Sequence, residues 1–165
     1  VENRQPIGFK RVADMKNYKV LSTNHTSFTV SDLEWSLSFF RDVLGFEVTS
    51  KAPRDPRAIQ HITGVKDAEV MIAYVRAPGH SVELIQYLRP DYQFRSHLSP
   101  NDVGFAHLAF DIDNIDGAVI AAKKFGVDPI AAPYVSDAGP NAGSKVVYLR
   151  DPDGITIELI QKARK

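Results

Sequence analysis

The feature that most constrains the fold of this 165-residue chain is an internal repeat with a period of 82 residues. One copy opens with HTSFTV at His25, and the second opens with HLAFDI at His107. Both copies end in nearly the same motif, VELIQ at 82–86 and IELIQ at 157–161. Agreement at the opening and at the close predicts two modules that share one structural plan.

The first copy has the pattern of a strand, a helix and further strands. Residues 23–30 alternate β-branched and aromatic side chains, which is typical of a strand. Ser31 and Glu34 have the spacing of a capping box, and Gly45 stands where a helix would end, so we expect a helix between them. Pro53 and Pro56 predict a loop at residues 51–63. Two further strands are predicted at residues 69–76 and 81–88.

The second copy repeats this plan more compactly, and the fold class is therefore predicted as α+β. Its predicted elements are, in order, a strand, a helix, two extended segments and a strand: 105–112, 114–125, 129–134, 145–149 and 155–160. The expected organisation is an N-terminal arm and one domain of two modules joined by a linker: arm 1–20, and domain 21–165 with module 1 at 21–90, linker at 91–102 and module 2 at 103–163.

Composition excludes several functional classes. Twenty basic residues balance twenty acidic ones, so no electrostatic footprint for nucleic acid or an anionic membrane is expected. Cysteine is absent, which excludes thiol nucleophiles and disulfide scaffolds. No apolar run approaches the roughly 20 residues of a membrane span, and the first residues lack a signal-peptide core. A cytoplasmic location is expected.

Four residues at the repeated openings and closings form a candidate metal site: His25, Glu83, His107 and Glu158. Each glutamate lies between apolar neighbours in a predicted strand, so it faces the side of the sheet opposite to them. A buried carboxylate without a partner is costly, whereas a cation removes that cost; taken singly, each glutamate is equally well explained as a charge on an exposed face. If the modules pack side by side, the four groups converge on one divalent ion, either Zn, Ni, Fe, Co or Mn.

Such an ion suggests a reaction class. It would bind a small-molecule substrate through two adjacent oxygens and act as a Lewis acid that stabilises an enolate or enediolate. Three segments resemble the vicinal-oxygen-chelate superfamily, which includes glyoxalase I, methylmalonyl-CoA epimerase, extradiol dioxygenases and bleomycin-resistance proteins: HTSFTVSDL at 25–33, FFRDVLGF at 39–46 and LRDPDGITIE at 149–158. The resemblance covers residues 23–161. It implies paired βαβββ modules forming a glyoxalase-like sheet cleft, a metal between them and frequently a homodimer.

Within that family, Glu83 is the informative position. Four ligands including Glu83 resemble the set of glyoxalase I and the epimerases, which implies a lyase or isomerase that transfers a proton beside a carbonyl, with Glu158 or Glu83 as the base. An extradiol dioxygenase would use only His25, His107 and Glu158, with iron(II). A third alternative is a metal-free protein that binds a small molecule such as an antibiotic.

Residues near the ligands are further candidates. Tyr148 and Tyr87 lie close enough in sequence to hydrogen-bond the ligands, although half-buried strand aromatics would look the same. Arg54 and Arg57 are candidates to bind an acidic group of the substrate, such as a carboxylate or coenzyme A; a solvated loop is the alternative. Residues 137–145 depart from the lysine-glycine-glycine-like run of glyoxalase I, which argues against glutathione.

Overall fold

A computed structural model describes residues 17–91, 94 and 97–163 of the chain. Most of the predicted arm, residues 1–16, lies outside this part. The helices are α1 Leu33–Ser38, α2 Pro56–Thr63 and α3 Ile115–Phe125, with a π-helical segment Phe39–Val43 directly after α1 and a short 3-10 turn at Gly139–Asn141. The strands are β1 Thr26–Thr29, β2 Glu47–Pro53, β3 Glu69–Ala77, β4 His80–Arg89, β5 His107–Asp111, β6 Asp128–Pro129, β7 Tyr134–Val135, β8 Lys145–Arg150 and β9 Thr156–Gln161.

Two sheets with the same topology confirm the predicted duplication. The first sheet has the order β1-β4-β3-β2, and the second has the order β5-β9-β8-β6 with β7 also paired to β8. In each sheet the opening strand runs parallel to the closing strand, and Ser27 pairs with Glu83 as Ala109 pairs with Glu158. The structure is therefore α+β, with two equivalent βαβββ modules.

The first helix begins one residue later than the predicted capping box. Asp32 is the N-cap, and its carboxylate accepts a hydrogen bond from the Trp35 backbone N–H at 3.0 Å. The backbone N–H of Ser31 instead donates to Asp153 of the second module at 2.7 Å. Serine and aspartate are both good N-cap residues, and a contact between modules selects Asp32 here.

The predicted proline loop is wrong, because both prolines belong to regular elements. Pro53 ends β2, which is an edge strand. An edge strand pairs on one side only, so it tolerates a residue that has no N–H to donate. Pro56 begins α2, where the first N–H groups have no helical partner in any case, and Asp55 caps the helix through the Arg57 N–H at 3.0 Å. Gly64, with φ +73°, ends α2 in the left-handed region.

The repeated glutamine of the closing motif attaches each last strand to its helix. Gln86 accepts a hydrogen bond from the Leu33 N–H at 3.2 Å and donates to the Ser31 carbonyl at 3.2 Å. Gln161 accepts from the Ile115 N–H at 2.9 Å. Both side chains satisfy backbone groups that a helix N-terminus leaves unpaired.

One hydrophobic core joins the two modules. Aromatic pairs cross between them, with ring centroids 5.2 Å apart for Trp35 and Phe125 and 5.0 Å apart for Phe46 and Phe110. The helical side of each module thus faces inward, and the glutamate face of each sheet lies away from this core. In the described ranges, no helix is long and apolar enough to cross a membrane.

Candidate metal centre

Glu83 and Glu158 occupy the same position in their modules, as the alternation of side chains predicts. Val82 and Leu84 on either side of Glu83 are completely buried, and Ile157 and Leu159 flank Glu158 in the same way. Glu83 itself is only 8 % exposed, on the opposite face of its sheet. A carboxylate this buried requires a partner that carries positive charge or donates hydrogen bonds.

Each glutamate faces the histidine of its own module. His25 Nε2 lies 3.4 Å from a carboxylate oxygen of Glu83, and His107 Nε2 lies 3.0 Å from one of Glu158. The histidine side chains remain about one-third exposed, at 32 % and 35 %. The repeat therefore produces two similar half-sites, each with one imidazole and one carboxylate.

Within a single chain these half-sites stay separate. They lie on two different sheets. In the part of the chain that the structure describes, no group of three or more histidine, aspartate or glutamate side chains is arranged to hold one ion. Within the described residues, the four predicted ligands therefore form two pairs and not one group of four.

A tyrosine accompanies each half-site. The Tyr74 hydroxyl donates a hydrogen bond to Glu83, and the Tyr74 ring meets the His25 ring edge-on at 5.7 Å. Tyr148 packs against His107 with ring centroids 5.0 Å apart. Sequence reasoning identified Tyr148 and missed Tyr74, although a hairpin turning at Pro78-Gly79 pairs residue 74 with residue 83.

Both phenols remain protonated at neutral pH. Burial raises the pKa of Tyr74, and its hydrogen bond to Glu83 raises it further. Burial also raises the pKa of Tyr148, with a second contribution from the charge of Glu158. Each half-site therefore contains a neutral hydroxyl beside its carboxylate.

The predicted candidate Tyr87 lies on β4, four residues beyond Glu83, so the two side chains leave the same face of the sheet.

The protonation of His25 suits metal ligation. Its Nδ1 lies 2.6 Å from the side-chain oxygen of Asn24, which can only accept a hydrogen bond. Nδ1 therefore carries the proton, and in the neutral ring the lone pair of Nε2 faces the Glu83 carboxylate. Nε2 and the carboxylate attract each other only when a proton or a metal cation lies between them. A proton on one ring nitrogen and a lone pair on the other is the arrangement of metal-bound histidines, so these residues fit a divalent ion.

The two arginines proposed to bind the substrate occupy different surroundings. The positive charge of Arg54 opposes the rise in the pKa of Tyr74, so Arg54 lies near the first half-site. The Arg57 side chain is 94 % exposed and lies 3.7 Å from Asp55. It lines a groove of about 800 Å³ together with His61 and Arg89, whose lining includes none of the four candidate ligands.

Two βαβββ modules, each presenting a histidine–glutamate pair on one sheet face, define a protein of the paired-module class. The sequence profile of the Glyoxalase/Bleomycin resistance protein/Dioxygenase superfamily matches residues 22–159. The chain belongs to this superfamily.

Similar proteins include two epimerases. The chain is 32 % identical over 146 residues to a 2-epi-5-epi-valiolone epimerase from Actinomyces sp, covering 85 % of this chain and 79 % of that protein. It is 29 % identical over 147 residues to the mitochondrial methylmalonyl-CoA epimerase of Mus musculus, covering 87 % and 75 %. A glyoxalase family protein from Bacillus cereus has the same fold, with a TM-score of 0.78, 23 % identity, and coverage of 90 % and 98 %.

Proposed function

We propose that this chain is a divalent-metal-dependent isomerase or lyase that moves a proton at the carbon beside a carbonyl. The observation that carries the proposal is the duplicated half-site, in which His25 with Glu83 and His107 with Glu158 occupy equivalent strand positions. The similarity to two epimerases supports proton transfer over oxygen insertion. The proposed substrate is a small molecule with two adjacent oxygens.

The proposed centre is shared between two copies of the chain. Strands β1 and β5 are edge strands, and the two histidines stand at these edges with side chains that solvent still reaches. A two-fold dimer that places β1 of one copy beside β5 of the other brings a half-site of each type together. Four ligands then surround one ion, and each dimer contains two equivalent centres.

The two glutamates receive different roles. Glu83 is held by the Tyr74 hydroxyl and is largely buried, which favours a fixed ligand. Glu158 is more exposed, with 17 % of its side chain accessible, and it has no phenol hydrogen bond in the described structure, so it is the proposed base that removes and returns the proton. When bound, a Zn, Ni, Fe, Co or Mn ion supplies Lewis-acid polarisation of the carbonyl oxygen.

Arg54 is the proposed substrate contact at the first half-site. It adjoins Tyr74, which in turn contacts both His25 and Glu83. Arg57 is a weaker candidate, because its guanidinium is exposed and adjoins Asp55. Arg54→Ala should therefore weaken binding of a carboxylated substrate, while Arg57→Ala serves as the matched control.

Mixed dimers test the shared centre. His25→Ala and His107→Ala should each abolish stoichiometric binding of Zn²⁺ and activity. When the two variants are unfolded, mixed in equal amounts and refolded, half of the dimers are mixed, and each mixed dimer has one intact centre. Roughly a quarter of the wild-type centres should return. No recovery in either readout, with mixed dimers demonstrated by mass spectrometry, would rule out a centre shared in this way.

Metal content and isotope exchange test the reaction. Protein purified without chelator should contain about one divalent ion per chain, and solvent deuterium should enter an acyl-CoA thioester or a hemithioacetal at the carbon beside the carbonyl. Oxygen consumption with a catechol and iron(II) would replace this proposal with a ring-cleaving dioxygenase. Tight binding of a small molecule by protein that takes up no metal would replace it with a binding protein.

A further inference from the structure

An arginine on β8 stands next to the second half-site. Arg150 pairs with Thr156 on β9, and Thr156 in turn pairs with His107 on β5, so the three residues are neighbours across three strands. Adjacent strands lie about 4.8 Å apart, which places the Arg150 and His107 backbones roughly 10 Å from each other. Tyr148 leaves the same face of β8 two residues earlier.

The guanidinium of Arg150 is poorly satisfied by the protein. Its hydrogen bond is a long one, from Nε to the Thr156 hydroxyl at 3.4 Å. Nη2 is buried and has no hydrogen-bond partner, and no carboxylate of the described chain lies within ion-pair distance of Arg150. Its cationic carbon lies 5.8 Å from the centre of the Phe105 ring. Burial destabilises a charged group that lacks a counter-ion, and the Arg150 side chain is only partly buried, so an anion bound to its accessible part would offset some of that cost.

The first module provides an internal comparison. Arg76 on β3 occupies the position that Arg150 has on β8, two residues after the half-site tyrosine and opposite the start of the closing strand. Its side chain is 64 % exposed and pairs with Glu47 at 3.0 Å. Duplication alone therefore accounts for an arginine at this position, but not for its lack of a carboxylate partner in the second module.

We propose that Arg150 binds an anionic group of the substrate, namely a carboxylate or a phosphate. This inference rests on the proposed function and specifies its substrate class: a small molecule whose adjacent oxygens reach the centre at His107 and Glu158 and whose anion reaches Arg150. The guanidinium can bind either anion through charge-assisted hydrogen bonds. The Phe105 ring lies near Arg150 and the Tyr148 ring near His107, and the centroids of these two rings are 6.5 Å apart.

A binding titration tests the inference without requiring turnover. Malonate, inorganic phosphate and the neutral malonamide are titrated into wild-type protein, Arg150→Gln, Arg150→Lys and the control Arg76→Gln. Each titration is performed on protein as purified and again after EDTA treatment. Binding is followed by the side-chain Nε–H resonances of the arginines and by calorimetry. The relative affinities for malonate and phosphate show whether Arg150 prefers a carboxylate or a phosphate.

We expect Arg150→Gln to weaken anion binding about tenfold or more, because it removes a charge-assisted hydrogen bond. Arg150→Lys should recover part of this loss, Arg76→Gln should remain within twofold of wild type, and malonamide should not distinguish the variants. Equal anion affinity in wild type and Arg150→Gln, or no anion binding by wild type, would overturn the inference.

The same titrations separate this inference from the proposed function. Anion binding through Arg150 in EDTA-treated protein, together with a failure to bind any divalent ion, would refute the metal-dependent reaction and leave the anion site standing. Stoichiometric metal binding, together with an anion affinity that is the same in wild type and Arg150→Gln, would refute only the anion site.

Discussion

The Tyr74 hydroxyl donates a hydrogen bond to the Glu83 carboxylate across the antiparallel pair of β3 and β4. Tyr148 and Glu158 are in the same register across β8 and β9, yet the described structure contains no hydrogen bond between them. The duplicated plan thus contains one carboxylate fixed by a phenol and one that is not. This difference is the basis for assigning different roles to Glu83 and Glu158.

The first prediction concerns Tyr74. Tyr74→Phe removes the hydrogen bond that orients Glu83, so we expect metal affinity to fall about tenfold, as for other groups that orient a ligand. Tyr148→Phe is the matched control and should change affinity by less than threefold. Competitive Zn²⁺ titration with a chromophoric chelator measures both, and equal losses in the two variants would contradict the asymmetry.

The second prediction separates the two glutamates. Glu158→Gln should lower kcat by about 10² to 10⁴, because it removes the base, while metal remains bound. Glu83→Gln should weaken metal binding more than Glu158→Gln does and should lower kcat less once the metal is saturating. Turnover at saturating metal and direct metal titration separate these effects. Full activity of Glu158→Gln would show that another group transfers the proton.

The third prediction concerns the repeated glutamines. Gln86→Ala removes one hydrogen bond to the Leu33 N–H and one to the Ser31 carbonyl, so the free energy of unfolding should fall by about 1 to 3 kcal/mol. Gln161→Ala removes the single bond to the Ile115 N–H and should cost less. Urea unfolding at equal protein concentration measures both losses. A larger loss in Gln161→Ala would contradict this account.

The fourth prediction is a pH dependence of stability. Burial raises the pKa of Asp151 to about 6, although backbone hydrogen bonds from Ile155 and Asp153 oppose the shift. Because the folded value exceeds the unfolded value of about 3.9, this residue favours folding at low pH, and its contribution is lost as pH rises through about 6. Between pH 4 and 7 the stability of wild type should fall relative to Asp151→Asn by up to about 3 kcal/mol. Urea unfolding measures both stabilities. If wild type and Asp151→Asn change in stability with pH in parallel, the raised pKa of Asp151 is contradicted.

Local sequence patterns predicted much of the fold because the repeat contains the residue pattern of the same module twice. The alternation around Glu83 and Glu158 correctly placed both carboxylates on the face opposite the core. The predicted loop at Pro53 and Pro56 failed, because proline interrupts a central strand or a helix interior but is compatible with an edge strand and a first helical turn. Which strand forms an edge depends on the pairing of the whole sheet.

Sequence by itself determined the duplicated modules, the fold class and the candidate ligands, because these depend on side-chain periodicity and on identical residues at equal spacing. Tertiary structure alone decided that the candidate ligands of one chain form two separate pairs, that Tyr74 donates a hydrogen bond to Glu83, and that Arg150 lacks the carboxylate partner that Arg76 has. These features depend on how distant strands align and on which atoms are buried, and such distances through space are not encoded in any local pattern of residues.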